Sequence, residues 1–339
     1  MATTAPLKPS LETLPSEVVE KIARFLPPRL DLGSFRLTNR EIRDKIQGDF
    51  IKRFHHREVP LGIPALEELR QKTEGCDLGG QVRHCTINCL VYCTEEKFRA
   101  DADERLRLLT AVFSNIKSPM TTGTLHSLSF KPVRRARINV ETKTWQVTPP
   151  LRGRIVETTM MALERSGLSV DELDLSLSSE PGQCLHYDEF LDIANKLQQP
   201  SNVFSKVKIA KLKLASPRRE GSATQSRSVA SILHQISNIM PTLERLELSW
   251  IGYRFEGDFP SLNVNLTIGG TWSTGAKSCY LYDLIVSESV LLRFVESFRP
   301  TRLEMKRVRL VEGTKASVLS SLEQSYDLIP DAWGAAGAE

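Results

Sequence analysis

The sequence has no apolar run approaching the roughly 20 residues that span a bilayer. Its opening residues, MATTAPLKPS, lack the apolar core of a secretory signal. An intracellular protein of cytoplasm or nucleus, without membrane association, is therefore expected. Cysteine is scarce, six in 339 residues, which is far from the density of a secreted disulfide scaffold, so free thiols are expected. The net charge of +4 is too small to point to a nucleic-acid partner. No P-loop, dinucleotide glycine fingerprint, GxSxG elbow, HExxH or kinase signature occurs. Gly79-Gly80 and Gly269-Gly270 are isolated pairs that read as turns. The histidines at 55, 56, 84, 126, 186 and 234 have no catalytic spacing, although spacing alone does not exclude a site assembled in space. A protein without catalysis, cofactor or metal is the expectation.

At 40% hydrophobic and 25% charged, the chain has a globular composition, long enough for a small module and one large domain. Cys85, Cys89 and Cys93 invite a metal assignment, but they fit neither paired CxxC spacing nor a cluster motif. In a strand, Cys85, Ile87, Cys89, Val91 and Cys93 share one face, and buried thiols among β-branched residues read as core. His55-His56 reads as linker surface, since adjacent histidines point to different sides of a helix. Basic stretches at 131–154 and 206–227 flank an acidic one at 157–192. Such runs read as solvated faces of neighbouring elements that compensate each other.

Residues 11–44, LETLPSEVVEKIARFLPPRLDLGSFRLTNREIRD, encode three short helices. Pro15 sits in a first turn, Glu17 lies near the positive helix end, and Val18, Val19, Ile22, Phe25 and Leu26 recur at helical spacing until Pro27-Pro28 ends the run. Asp31 is placed to cap a second helix over Leu32, Phe35 and Leu37. Thr38 and Glu41 match a capping box opening a third, which carries Ile42 and Ile46. A piece of about 40 residues seldom builds an adequate core alone, so its apolar surface calls for a partner.

Leu14-Pro15-x-Glu17-Val18, Ile22, Leu26, Asp31-Leu32 and Arg36-Leu37-Thr38-Asn39-Arg40 with Ile42 together resemble an F-box of the fungal type. The resemblance implies docking on the Skp adaptor of a cullin-RING (SCF-type) ubiquitin ligase, with the rest of the chain receiving an unknown protein substrate. It implies adaptor contacts at Leu14, Pro15, Ile22, Leu26, Leu32 and Leu37. Some of Val18, Val19, Phe25, Phe35 and Ile42 then hold the helices together.

From residue 82 an apolar-x-x-apolar-x-apolar string recurs: Val82-Cys85-Ile87, Leu125-Leu128-Phe130, Val170-Leu173-Leu175, Ile209-Leu212-Leu214, Leu243-Leu246-Leu248, Leu281-Leu284-Val286 and Met305-Val308-Leu310. Helical patterns lie between most of them, for example Leu106, Leu109, Val112, Phe113 and Ile116, or Leu291, Leu292, Val295 and Phe298. Alternating strand and helix predict an α/β fold with a parallel sheet and covering helices. The pattern resembles an irregular leucine-rich-repeat-like solenoid, a companion domain of many F-box proteins. The intervals mostly exceed the roughly 20 to 29 residues of that repeat, and its Asn or Cys ladder is missing. An ordinary α/β domain with apolar buried strands remains a competitor.

The expected organisation is a flexible tail at 1–10, an F-box at 11–50, a linker at 51–81, a repeat domain at 82–325 and a flexible tail at 326–339. Residues 251–280 read as an insertion. With strings in register, Glu172 and Asp174 stand beside Lys211 and Lys213. Arg307 and Arg309 remain unpaired as a contact site for an acidic or phosphorylated substrate. The alternative function is a leucine-rich-repeat-like binding scaffold without a ligase.

Overall fold

Strands and helices alternate through the computed structural model, which describes residues 11–25, Phe35, 38–46, 55–74, 81–89, 95–118, Met120, 122–131, 149–177, 184–197, 203–215, 222–251 and 277–325. A 3-10 turn at Leu11–Thr13 precedes α1 (Ser16–Phe25) and α2 (residues 40–46). Then follow β1 (His56–Pro60), α3 (Ile63–Thr73), β2 (His84–Asn88), α4 (Glu95–Ala100), α5 (Ala102–Lys117), β3 (Thr124–Lys131), α6 (Pro149–Ser166) and β4 (Ser169–Leu175). After these come β5 (Leu185–His186), α7 (Tyr187–Lys196), β6 (Ile209–Ala215), α8 (Ser222–Ile239), β7 (Arg245–Ile251) and β8 (Ser278–Tyr282). The last elements are β9 (Ile285–Val286), α9 (Glu288–Phe298), β10 (Arg302–Lys306), β11 (Arg309–Leu310) and α10 (Lys315–Ser325).

The main sheet runs β1-β2-β3-β4-β6-β7-β8-β10, each strand beside the next, and every ladder among the described residues is parallel. Parallel neighbours require a crossover, and right-handed crossovers taken in one direction bring the helices to one face of the sheet. Burial agrees. Cys85 and Ile87 are buried in β2 while His84, Thr86 and Asn88 are only partly covered, and β10 alternates the same way. The helices pack in sequence, α3 on α5, α5 on α6, α6 on α7, α7 on α8, α8 on α9 and α9 on α10. The expected α/β class with a mostly parallel sheet and covering helices is what the structure shows. Among the described residues no helix is long and apolar enough to cross a membrane.

One hydrogen-bond pattern recurs at four turns into the sheet. One carbonyl accepts two successive N–H groups from the next strand: His55 from Arg83 and His84, Arg83 from His126 and Ser127, Lys208 from Glu244 and Arg245, and Lys277 from Thr301 and Arg302. Short second strands lead into helices at β5, β9 and β11; β5 adds to the end of β6, and β9 pairs with β11.

Several expectations change. The stretch expected as a linker contains β1 and α3, and β1 pairs with β2 from His56↔His84 to Pro60↔Asn88, so the sheet starts earlier. Its helix α3 runs for about three turns because Leu66, Leu69 and Thr73 bury one side. Three apolar strings are also displaced. Leu173 pairs with Ala210 and Leu246 with Cys279, while Cys279 pairs with Leu303. The equivalent apolar positions are therefore Val207, Ala210 and Leu212, then Cys279 and Leu281, then Leu303 and Met305, all buried. Asp174 consequently sits opposite Lys211 rather than Lys213. The cap of α2 is Asn39, whose Oδ1 accepts the Glu41 N–H at 2.7 Å, while Thr38 donates to the Phe35 carbonyl. The expected tails, the Asp31 cap and nearly all of the 251–280 insertion lie outside the described residues.

One core runs from Val59 to Leu322. Inside it Arg105, 1% exposed, donates to the carbonyls of Leu61 (2.9 Å) and Phe98 (2.9 Å) and lies over the Phe98 ring. A second cluster joins Val19, Ala23, Ile42 and Ile46, with Leu14 and Phe35 packed against it. On β7, Leu248→Ala is expected to cost about 2 to 5 kcal/mol by leaving a cavity. Neighbouring Ser249→Ala, on the open face, should stay within about 0.5 kcal/mol. Urea unfolding of the two variants checks the inside-outside assignment.

Candidate functional site

The first candidate surface is one side of α1. Val19 and Ala23 turn inward against Ile42 and Ile46, and the Lys45 ammonium donates to the Leu14 carbonyl at 2.9 Å. The neighbouring side carries Pro15, Val18, Ile22 and Phe25 at helical spacing. Phe25 is 85% exposed and Val18 is 41% exposed. Burying a side chain such as Phe25 contributes about 1.5 to 3 kcal/mol. Among the described residues nothing covers it.

The second candidate is the bare face of the sheet. Across β1 to β4 it presents His56, His84, Ser127 and Glu172 in one row and Glu58, Thr86, Ser129 and Asp174 in the next. Across β7, β8 and β10 the rows continue as Arg245, Ser278, Arg302 and as Glu247, Tyr280, Glu304. Most charges here are answered by neighbours. Lys211 pairs with Glu172 at 2.6 Å, which raises the lysine pKa, and Lys131 pairs with Glu58 at 3.1 Å. Arg245 pairs with Glu247 and also lies over the Tyr280 ring, which Arg302 approaches too. Lys306 pairs with Glu304 at 2.7 Å, and this hydrogen bond holds that carboxyl below its usual range. Exposed pairs of this kind contribute about 0.2 to 1 kcal/mol each. They shape the face more than they stabilise it.

Of the residues assigned to adaptor contact by resemblance, Pro15 is exposed, Ile22 is half-buried and Leu14 packs against the inner cluster. Leu26, Leu32 and Leu37 lie outside the described residues. Phe25 and Val18, which sequence reasoning counted among the candidates for holding the helices together, face outward instead. Arg307 is not unpaired: its guanidinium grips Asp283 at 2.5 and 2.8 Å, an ion pair that raises its pKa. Both residues have positive φ, 56° and 60°, at the equivalent bend after β10 and β8. Arg309 lies on β11 with its side chain exposed. Sequence reasoning missed Tyr280, Tyr282, Arg302, Glu304 and Lys306 as face residues, although the alternation in Ser278-Cys279-Tyr280-Leu281-Tyr282 carries that signal.

Cys85, Cys89, Cys184 and Cys279 are buried free thiols. Burial pushes Cys85 and Cys89 up to about 12 and Cys184 to about 11, so they stay protonated as core residues. Cys93 lies outside the described residues. Among the described residues no group of three or more His, Cys, Asp or Glu side chains is arranged to hold a metal ion. Compared with protein families and with characterised proteins, the sequence matches none.

Tyr282 donates to Glu304 Oε1 at 3.3 Å, and its phenol is pushed up to about 12, first by burial and then by the Glu304 carboxylate. An unfolded tyrosine ionises near 10. The stability this phenol contributes is therefore complete below about pH 10 and lost as pH rises toward about 12. Glu304→Gln should lower the Tyr282 midpoint toward 10, read by ultraviolet absorbance titration against Tyr282→Phe.

Proposed function

We propose that this chain is the substrate-receptor subunit of an SCF-type ubiquitin ligase. The N-terminal helices act as an F-box that docks on the Skp adaptor and, through it, on the cullin. The sheet and its helices act as an irregular leucine-rich-repeat-like solenoid whose bare face receives a protein substrate. One observation carries this reading: α1 keeps an apolar side, Phe25 foremost, outside a small cluster separate from the main core. The order of the sheet supports the second half, since strands laid down in sequence with helices on one side leave a continuous polar face for a partner.

In this role the chain does no covalent chemistry. It brings target lysines close to the ubiquitin-charged enzyme, and proximity alone raises their effective concentration. The face is polar and built of many paired charges, so it suits selection among protein partners better than tight apolar association.

Co-expression with a Skp adaptor should yield a 1:1 complex. Phe25→Asp should abolish capture, because a carboxylate pressed into an apolar contact costs several kcal/mol. The same variant should keep its circular dichroism and melting temperature, because Phe25 makes no contribution to either core cluster. Absence of any wild-type complex, or equal capture of the variant, would sink the proposal.

A further inference from the structure

One corner of the sheet face holds a histidine cluster beside a cation, Arg83, that forms no ion pair among the described residues. The His56 and His84 rings stack at 4.3 Å with 8° between their planes, and the His126 ring meets His84 edge-on at 5.0 Å. His84 Nδ1 lies 2.7 Å from Ser127 Oγ. Three histidines widely separated in sequence thus become one imidazole cluster, because His56, His84 and Ser127 occupy a single row of the register. Beside it opens a cavity of roughly 470 Å³ bordered by Arg83, His84, Thr124, His126, Asp171 and Lys208.

The charges facing this cluster come from five strands and the turns that enter them. On the β1 side stand His55, His56 and Glu58, on the β2 side Arg83 and His84, and on β3 His126 and Lys131. On β4 stand Asp171, Glu172 and Asp174, and on the β6 side Lys208 and Lys211. Each carboxylate is already engaged: Asp171 by Lys208 at 3.3 Å, Glu172 by Lys211 at 2.6 Å, Glu58 by Lys131 and by the Asn88 amide, and Asp174, opposite Lys211, by the Ser176 N–H at 2.8 Å. Arg83 is exposed and forms no ion pair among the described residues. What is left over is one permanent cation and four imidazoles.

We propose that this corner docks an acidic segment of a partner protein, with Arg83 as the constant cation and the imidazole cluster built around His84 as the second contact for its carboxylates. Charge complementarity selects the occupant. Without a ligand, burial and then the neighbouring imidazoles His56 and His126 lower the pKa of His84. Stacked rings resist being charged together. Carboxylates laid across them replace that repulsion with attraction, so binding takes up protons and tightens as pH falls through the imidazole range. The His56 and His84 rings are stacked face to face and His126 stands edge-on, an arrangement that fits an extended anionic segment better than a metal ion.

The inference deepens the receptor reading by naming the substrate chemistry and its place on the face. Its test does not involve the adaptor, so either reading can fail alone. A fluorescently labelled Glu-rich peptide is titrated into the full chain at about pH 7.5 and about pH 5.8, with anisotropy as readout. Affinity should be at least about tenfold higher at the lower pH and should weaken with salt. Arg83→Glu, at an exposed position that leaves the fold intact, should abolish binding at both pH values. His84→Gln should remove most of the pH dependence. Lys72→Gln, on the helical side, should change nothing. Equal affinity at both pH values, indifference to Arg83→Glu, or tighter binding of a single-stranded oligonucleotide of equal charge would overturn the assignment.

Discussion

A parallel strand cannot join its neighbour without a crossover, and in this chain every crossover of the main sheet advances in the same direction. Nearly everything else depends on that constraint. It sends the helices to one side, where each packs on the next, and it leaves the other side of the sheet bare. The double acceptance at the His55, Arg83, Lys208 and Lys277 carbonyls fixes where β2, β3, β7 and β10 enter, so the side chains that follow fall into rows. A shift of one residue in any strand would exchange its buried and open faces. The corner hydrogen bonds and the apolar alternation therefore reinforce a single register.

Stability consequently rests on one face, and in the proposed role recognition falls to the other. The helix side holds the continuous core from Val59 to Leu322, including Phe113, Trp250, Phe294 and Phe298. Core truncations of such residues cost several kcal/mol, whereas exposed ion pairs contribute tenths. The bare face is thus free to vary in charge without endangering the fold. Its composition changes along the sheet, from imidazoles and hydroxyls on β1 to β3 to tyrosines between paired arginines and carboxylates on β7 to β10. Partner selection at one end need not disturb the other.

Much of this was legible in the sequence. The helical patterns from Leu106 to Leu322 lie in helices, and Cys85, Leu128, Leu173 and Leu246 are the inward strand positions expected of them. The register failed where two apolar spellings competed. Leu281-Leu284-Val286 looked like one strand, but Asp283 turns to positive φ and divides it between β8 and the short β9, so Leu284 and Val286 are buried beyond the main sheet. Met305-Val308-Leu310 divides in the same way at Arg307. Side-chain spacing does not reveal a backbone that bends between two buried segments. Nor does it reveal the imidazole cluster, because only pairing between strands unites His56, His84 and His126.

The N-terminal module obeys a different balance. Among the described residues, four buried side chains with Leu14 and Phe35 beside them make a cluster far smaller than a domain of its own needs. Helices as short as α1 and α2 are marginal in water unless tertiary packing holds them. Yet α1 leaves its largest side chain, Phe25, in solvent while burying the small Ala23. A helix selected only to close its own core would turn the phenylalanine inward. Since α1 instead buries Val19 and Ala23 and displays Val18 and Phe25, its inner side suffices to position the outer one, and in the proposed role the outer side is the surface that the adaptor covers.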